Sequence, residues 1–538
     1  DQQGVFEIDG GRRIVIPLAS TEELDVADVC CAGEQLYDYI AERLGQAPAH
    51  LPWDAALARV WLPLDAWARD FLTPAEGDFS AQVSRAQWPD QTNWLALRTN
   101  LRRLVVRERQ RLFTPGQLGR TCPFEVPEGP NMGRIFTIAA GAAIRDGRLV
   151  VLDDRPEATL GPSASMIPFL EHDEPPRLLM GANMLRQWLP PPDPEPALVQ
   201  TGNEPDAPEF WCGRNLLTAY VSWDGDTFED GIVISESCAR RLGYPRRVEP
   251  GDKFSNRHGA KGVISRILPD DQMPHLADGT PVELLYSFMS LPSRLYFGQV
   301  REALMGRIAR AEGRPAIVPP FRAPSADELR ARLAAAGLPP DGMETLTQGR
   351  GGPPLARPSA VGWVYWGKLV HVASDKLRVS TSEQSDVQSQ GQRQGELEYY
   401  ALREAGAIQT IVEQYNTRAA GRADAGTLAA RLAAAPVEQA GALSPLFAGL
   451  ARRLAAAGIR ADLDGERLAL SFGPPTGDTL RLAQPVQHPW LPERRLELVG
   501  ALPELPEFAA LTEANVRLAR LLDSQAPTAL AQQAFANL

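Results

Sequence analysis

FEDGIVISES (Phe228 to Ser237) sets two carboxylates, Glu229 and Asp230, directly before the β-branched run Ile232, Val233, Ile234. A strand destined for the interior does not normally open on adjacent negative charges, because desolvating them is costly unless a cation or hydrogen-bond donors compensate. The stretch therefore reads as a buried strand whose entry waits for something positive.

Around it lie 538 residues, 44% hydrophobic and 23% charged, an ordinary globular composition with room for several domains. No apolar run reaches the roughly 18 residues of a membrane helix. The opening DQQGVFEIDGGRR lacks a charged-then-apolar signal pattern, so a cytoplasmic protein with no membrane partner is expected. Cys30, Cys31, Cys122, Cys212 and Cys238 show no C-x-x-C spacing and the six histidines are dispersed, which argues against a disulfide framework or a zinc site. A net charge of −12 argues against indiscriminate coating of nucleic acid but leaves room for a local basic channel.

The texture of the chain changes several times. Residues 1 to 84 are mixed, with helical stretches rich in Leu, Ala and Trp. From Asn93 to Leu112 the spacing predicts an amphipathic helix capped by Thr92 or Asn93, with Trp94, Leu97, Leu101, Leu104 and Val105 on one face and Arg103, Arg107 and Arg111 on another. That arginine stripe is either a solvated helix face or a phosphate-facing one. From Thr121 to Ser382 strands and Pro/Gly punctuation dominate and predict barrel-like β structure, interrupted by a Pro-rich loop or linker from Trp188 to Pro208. One helix within it is bounded by an N-cap at Ser325, a capping box with Glu328 and a stop at Gly337. From Glu396 onward the pattern is helical, and residues 419 to 458 read as packed helix hairpins.

GDKFSNRHGAKG (Gly251 to Gly262) combines three glycines with four basic or imidazole side chains. Glycines let a backbone approach a ligand closely, and Lys253 and Lys261 supply point charges suited to phosphate. The string is not a Walker A loop. On its own it reads as an anion site or as a solvated glycine loop.

Six stretches taken together resemble the β subunit of bacterial multisubunit RNA polymerase, in that family's order. They are TCPFEVPEGPNMG (Thr121 to Gly133), RLLMGANMLRQ (Arg177 to Gln187), GRNLLTAYVSWDGDTFEDGIVISES (Gly213 to Ser237), GDKFSNRHGAKGVISRILPDDQMPHLADGTPVE (Gly251 to Glu283), LPSRLYFGQ (Leu291 to Gln299) and GQRQGELEYYAL (Gly391 to Leu402). The resemblance covers about residues 85 to 460. It implies a mixed α/β multidomain chain built on a double-psi β-barrel, one of a pair, with helical C-terminal segments. The second barrel belongs to a β′-like subunit whose three aspartates hold the catalytic Mg2+.

By the same resemblance Lys253 and Lys261 face the RNA 3′ end and the incoming nucleotide, and Arg177 and Arg294 lie near the triphosphate. Gln187 touches the RNA backbone, Asn131 and Arg378 contribute to substrate binding, and Glu229 with Asp230 sits by a second magnesium, indirectly. Nucleotidyl transfer is in-line displacement at phosphorus, so such a site needs cations and rigid positioning more than a nucleophile of its own. His258 and His172 read as structural hydrogen-bonders.

The chain also departs from the family. Between FEDGIVISES and GDKFSNRHG only CARRLGYPRRVEP (Cys238 to Pro250) stands where the family carries a long flap, so docking of a σ factor through that element is not expected. Arg102, Arg103 and Leu104 match the fork region, but VVRERQRL replaces its glycine-rich loop, and in SDKLRVSTS (Ser374 to Ser382) Arg378 replaces a family histidine. TLRLAQPVQHPW (Thr479 to Trp490) and NVRLARLLDSQAP (Asn515 to Pro527) resemble parts of the β′ N-terminal region, and read equally as ordinary amphipathic sequence.

The expected organisation is a reduced N-terminal region (1–84), a fork-like region (85–170), the barrel with its insertions (171–382), a helical anchor or clamp-like region (383–470) and a tail (471–538). The family's triple-aspartate motif is absent. The expected function is thus that of a reduced, atypical β-like subunit acting with a β′-like partner, NTPs, a nucleic-acid template and RNA product, and with α-like subunits as further candidate partners. The competing expectation is a catalytically inactive paralogue serving as a nucleic-acid-binding scaffold or polymerase-subunit decoy.

Overall fold

The structure is a computed structural model that describes residues 4–8, 10–21, 23–46, 60, 62–73, 86–106, 114–223, 225–227, 230–376, 396–411, 459–464 and 467–472. The chain divides into two units, residues 1–405 and 406–538.

Six strands of the first unit close on themselves: β1 (Arg214–Tyr220), β2 (Gly231–Ser235), β3 (Lys253–Asn256), β4 (Lys261–Leu268), β5 (Leu284–Tyr286) and β6 (Ser359–Leu369). Around the ring the order is β6, β1, β5, β2, β4, β3 and back to β6. The β1–β5 and β2–β4 junctions are parallel and the others antiparallel. The expected barrel is thus a closed six-stranded one within a mixed α/β unit.

Side chains alternate across each strand. Leu216, Tyr220, Ile232, Ile234, Phe254, Ile264, Leu284, Tyr286, Val364 and Trp366 fill one core, while the intervening Leu217, Ala219, Val233, Leu285 and Val361 pack with Met273, Leu276 and Leu346 into another. Ile232, Val233 and Ile234 are consequently all fully buried, because β2 is flanked by β4 and β5 and covered on both faces. Burying each such side chain contributes about 1.5–3 kcal/mol, and this explains why GIVIS shows no polar alternation.

Two helices position the barrel's working end. Pro175–Leu185 opens with proline in its first turn, where a missing amide costs nothing. Gly298–Glu312 packs along β6 and buries Gln299 and Glu302. The capping box is present: the Glu328 amide donates to Ser325 Oγ (3.3 Å), the Ser325 amide donates to Glu328 Oε2 (2.7 Å), and Gly337 is left-handed just beyond Ala326–Ala335. The Pro-rich stretch is more than a linker, since Trp188–Leu189 pairs with β6 and Val199–Gln200 pairs with Ala316–Ile317.

Two expectations are corrected. The helix predicted from Asn93 to Leu112 runs only over Trp94–Asn100, capped by Asn93 Oδ1, which accepts the Ala96 N–H (2.8 Å). Arg103–Val106 is instead a strand, paired antiparallel with Ile135–Thr137 and, through Val105 and Val106, parallel with Leu18–Ala19. Adjacent β-branched valines fit a pleated, buried setting better than a helix, and tertiary pairing overrides the 3.6-residue period. Arg107 and Arg111 lie outside the described residues.

In the second unit, Ile459–Asp464 and Arg467–Phe472 form an antiparallel hairpin where helix was expected. Its sequence alternates apolar residues at 459, 461, 463, 468, 470 and 472 around an Asp-Gly turn signal. The predicted helix hairpins at 419–458 and the tail from residue 473 lie outside the described residues. Among those described, no helix is long and apolar enough to cross a membrane.

Candidate functional site

The β3–β4 ribbon sets Lys253 opposite Val263 and Ser255 opposite Lys261. By strand alternation these four residues share one face, opposite Phe254, which enters the barrel core. Diagonal neighbours on such a ribbon lie about 7–8 Å apart, a spacing that suits two cations addressing neighbouring phosphates. Ser255 accepts the indole N–H of buried Trp188 (2.7 Å), and the Lys253 amide donates to the His371 carbonyl (3.3 Å), so the ribbon is anchored on its flank.

Lys253, Lys261 and Gln187 line one cavity of about 690 Å³. Arg103 and Arg186 add positive charge to the same lining, and Glu125 and Glu128 add negative. Burial and then the neighbouring Arg186 push Arg103 down to about 10. Burial pushes the Glu125 carboxyl up; its Oε1 accepts the Ser163 and Ala164 amides (2.6 and 2.8 Å), while its buried Oε2 has no partner among the described residues. The lining thus sets the cations Lys253, Lys261, Arg103 and Arg186 against a few carboxylates, a distribution of charge that can accept an anionic ligand.

Asp230 and Arg294 lie outside that lining and answer the opening question directly. Asp230 stands in the left-handed region (φ +69°) just before β2, and Arg294 ends the short Ser290–Arg294 helix. Both guanidinium Nη groups donate to the Asp230 carboxylate, Nη2 to Oδ2 at 2.7 Å. This hydrogen-bonded pair, partly withdrawn from water, raises the Arg294 pKa above its ordinary value. Beneath it the Tyr286 and Tyr296 hydroxyls share a buried hydrogen bond of 2.9 Å. The positive partner of the acidic corner is therefore supplied by the chain itself. Glu229 and Arg378 lie outside the described residues.

Arg177, on the Pro175–Leu185 helix, directs Nη1 to the Met180 sulfur (3.1 Å) and holds its guanidinium 5.9 Å from the Tyr296 ring centre. Its Nε is buried without a hydrogen-bond partner among the described residues. Asn131 is buried at the end of the Gly129–Asn131 turn, where its carbonyl accepts the Arg134 amide (3.1 Å). The structure thus brings Lys253, Lys261 and Gln187 to one cavity, pairs Asp230 with Arg294, and sets Arg177 and Asn131 apart from that lining.

Magnesium does not fit these residues as a self-contained site. Among the described residues no group of three or more His, Cys, Asp or Glu side chains assembles to hold a metal ion, and Asp230 commits both oxygens to Arg294.

Sequence reasoning missed Arg186, the cavity-facing setting of Arg103, and a buried ion pair behind the ribbon. Lys368 on β6 lies next to Phe254 of β3; its Nζ sits 3.2 Å from Asp252 Oδ2 and donates to the Arg246 carbonyl (3.2 Å). One signal for it was available: of 55 Lys and Arg side chains only four are lysines, Lys253, Lys261, Lys368 and Lys376. A chain that uses arginine almost everywhere keeps ammonium groups on three barrel strands.

Residues 87–144 match RNA polymerase Rpb2 domain 3, and residues 239–393 match RNA polymerase Rpb2 domain 6. Both matches are to Rpb2-type, β-like RNA polymerase subunits, and over those two regions the chain is similar to that kind of subunit. Among curated relatives, the DNA-directed RNA polymerase subunit beta of Mycoplasma mycoides subsp. mycoides is 40% identical over 178 residues, 31% of this chain and 14% of the relative. The subunit of the same name from Caldicellulosiruptor saccharolyticus is 41% identical over 199 residues, 35% of this chain and 16% of the relative. The matched region thus spans about one-sixth or less of the length of those relatives.

Proposed function

We propose that this chain is a reduced, atypical β-like subunit of a DNA-directed RNA polymerase. It binds NTP, the RNA 3′ end and the template for magnesium-dependent nucleotidyl transfer, beside a β′-like partner. The observation that carries this reading is the presentation of Lys253 and Lys261 on one face of a rigid ribbon, both opening on the cavity that Gln187 also lines. Point charges fixed in advance stabilise the charge that develops at a phosphoryl centre without reorganising during the reaction.

In this reading Lys253 and Lys261 hold the RNA 3′ end and nucleotide, Gln187 the RNA backbone, Arg177 and Arg294 the triphosphate, and Asn131 and Arg378 further substrate contacts. Glu229 and Asp230 sit by a second magnesium indirectly, and the partner's aspartates hold the catalytic one. The barrel crosses as a double-psi barrel, a topology supported by its two parallel junctions. The complex works in the cytoplasm, with α-like subunits as further candidates for its assembly.

The test is magnesium-dependent extension of a primed RNA:DNA scaffold by the natively purified complex, beside one carrying Lys253→Ala and Lys261→Ala. Template-directed extension that collapses in the double variant supports the reading. The engagement of Asp230 with Arg294 favours a second one, an inactive scaffold or decoy. Absence of extension despite a partner with intact aspartates selects that second reading.

A further inference from the structure

His258 sits at the tip of the β3–β4 ribbon, in the turn between the two lysines, and is fully buried. Its Nδ1 lies 2.6 Å from Asp173 Oδ2 and its Nε2 2.6 Å from Glu302 Oε2. Each carboxylate has a second task. Asp173 Oδ1 accepts the Gly298 amide (2.7 Å) at the start of the Gly298–Glu312 helix, four residues after Arg294. Glu302 Oε1 accepts from Arg257 Nη2 (2.7 Å) and from the Tyr365 amide on β6 (2.9 Å).

The turn is also pressed against the Arg177 helix. A Cβ on Gly259, which is left-handed (φ +81°), would meet the Arg177 carbonyl at 2.3 Å, and one on Gly181 would meet the Arg257 carbonyl at 2.1 Å. Asn256 completes the turn, its Oδ1 accepting the His258 and Ala260 amides (3.0 and 3.1 Å) and its Nδ2 donating to Gln299 (2.9 Å). One imidazole therefore joins the ribbon of Lys253 and Lys261, the helix that carries Arg177, and the segment that follows Arg294.

We propose that His258 is a positioning residue of the polymerase site, its ring clamped between Asp173 and Glu302 so that Lys261, Arg177 and Arg294 keep their mutual register. The proposal rests on the polymerase reading above. Burial opposes a charge on the ring, but Asp173 and Glu302 outweigh it and hold the His258 pKa up at about 9. The charged or titratable groups around it are Asp173, Glu302, Arg257, His172 and the hydroxyls of Tyr220 and Tyr296. Deprotonation would leave two buried carboxylates sharing one neutral imidazole, and the register would loosen.

Hydrogen exchange on the full chain, corrected for intrinsic rates, reads this without any activity, and NTP kinetics on the native complex read its consequence. In the wild-type chain, amides 256–261 lose protection at least tenfold between pH 7.5 and 10 while β1 and β2 keep theirs. His258→Gln shows that loss already at pH 7. In the complex the variant raises the NTP KM about tenfold at pH 7 and is flat with pH, whereas the wild-type KM climbs through pH 9.

Flat wild-type protection, or a variant as protected as wild type, overturns the clamp. Loss spread equally over all six strands overturns it too, by making His258 a determinant of the whole barrel. Unchanged KM with a loosened turn overturns the positioning role alone. A wild-type complex that extends nothing overturns the polymerase reading, and the positioning role with it.

Discussion

The lysine ribbon and the acidic corner lie in one barrel and handle charge in opposite ways. Lys253 and Lys261 are carried on a backbone fixed from behind and look into a cavity, with no carboxylate paired to Lys261 among the described residues. Asp230 and Arg294 spend their charges on each other. The Lys261 ammonium is open to a ligand, whereas the charges of Asp230 and Arg294 are already committed to each other, and mutation should separate the two.

The largest effect is expected at the ribbon. Each of Lys253→Ala and Lys261→Ala should slow scaffold extension by about 10²–10³, the scale of losing one fixed electrostatic donor, with little change in the urea midpoint of the isolated chain. A midpoint that falls as far as the rate would erase the contrast, because the lysines would then be structural. Next comes the buried network behind them. Glu302→Ala strands Arg257 without its counter-charge and leaves His258 with Asp173 alone, and should cost about 3–5 kcal/mol in urea unfolding.

Asp230→Asn should cost less, about 1.5–3 kcal/mol, the range for a charge-assisted hydrogen bond, and should release Arg294. If it leaves stability untouched, the pair is not committed and the contrast fails. The clamp adds a pH effect of its own. His258 has a native pKa near 9 against about 6.5 when unfolded, so its stabilising contribution is fully present below pH 6.5 and is lost as pH rises through 9. The difference in urea midpoint between wild type and His258→Gln should therefore shrink from pH 6.5 to 10, and a constant difference would show that the ring is neutral throughout. Asn93→Ala, which removes a helix cap and the bonds its Nδ2 gives the Leu185 and Trp188 carbonyls, should cost about 1–2 kcal/mol.

What could be read from sequence was local or repeated as long motifs. The Ser325–Glu328 capping box needs only a three-residue spacing, and the glycines and lysines of GDKFSNRHGAKG sit within one ribbon. Pairings across distance were not legible. Arg294 meets Asp230 from 64 positions away, and His258 meets Asp173 from 85. The 93–112 stretch misled because its leucines and arginines keep a helical period through residues that the sheet claims, Val105 and Val106. The hairpin at 459–472 was legible and was passed over: its strict alternation is the pattern of a strand.

The seam formed by β6 has a consequence for how the chain comes into being. β6 pairs with β1, which begins 145 positions earlier, and with β3. Until Ser359–Leu369 has been made, the five earlier strands form an open sheet whose ends, β1 and β3, expose unpaired amides and carbonyls beside an uncovered apolar interior. Exposed edges of that kind recruit other strands, and contacts across such separations form late and slowly. At 5–20 residues per second, the interval between β1 and β6 is a matter of seconds to tens of seconds, and during it the nascent barrel is a template for the wrong partner.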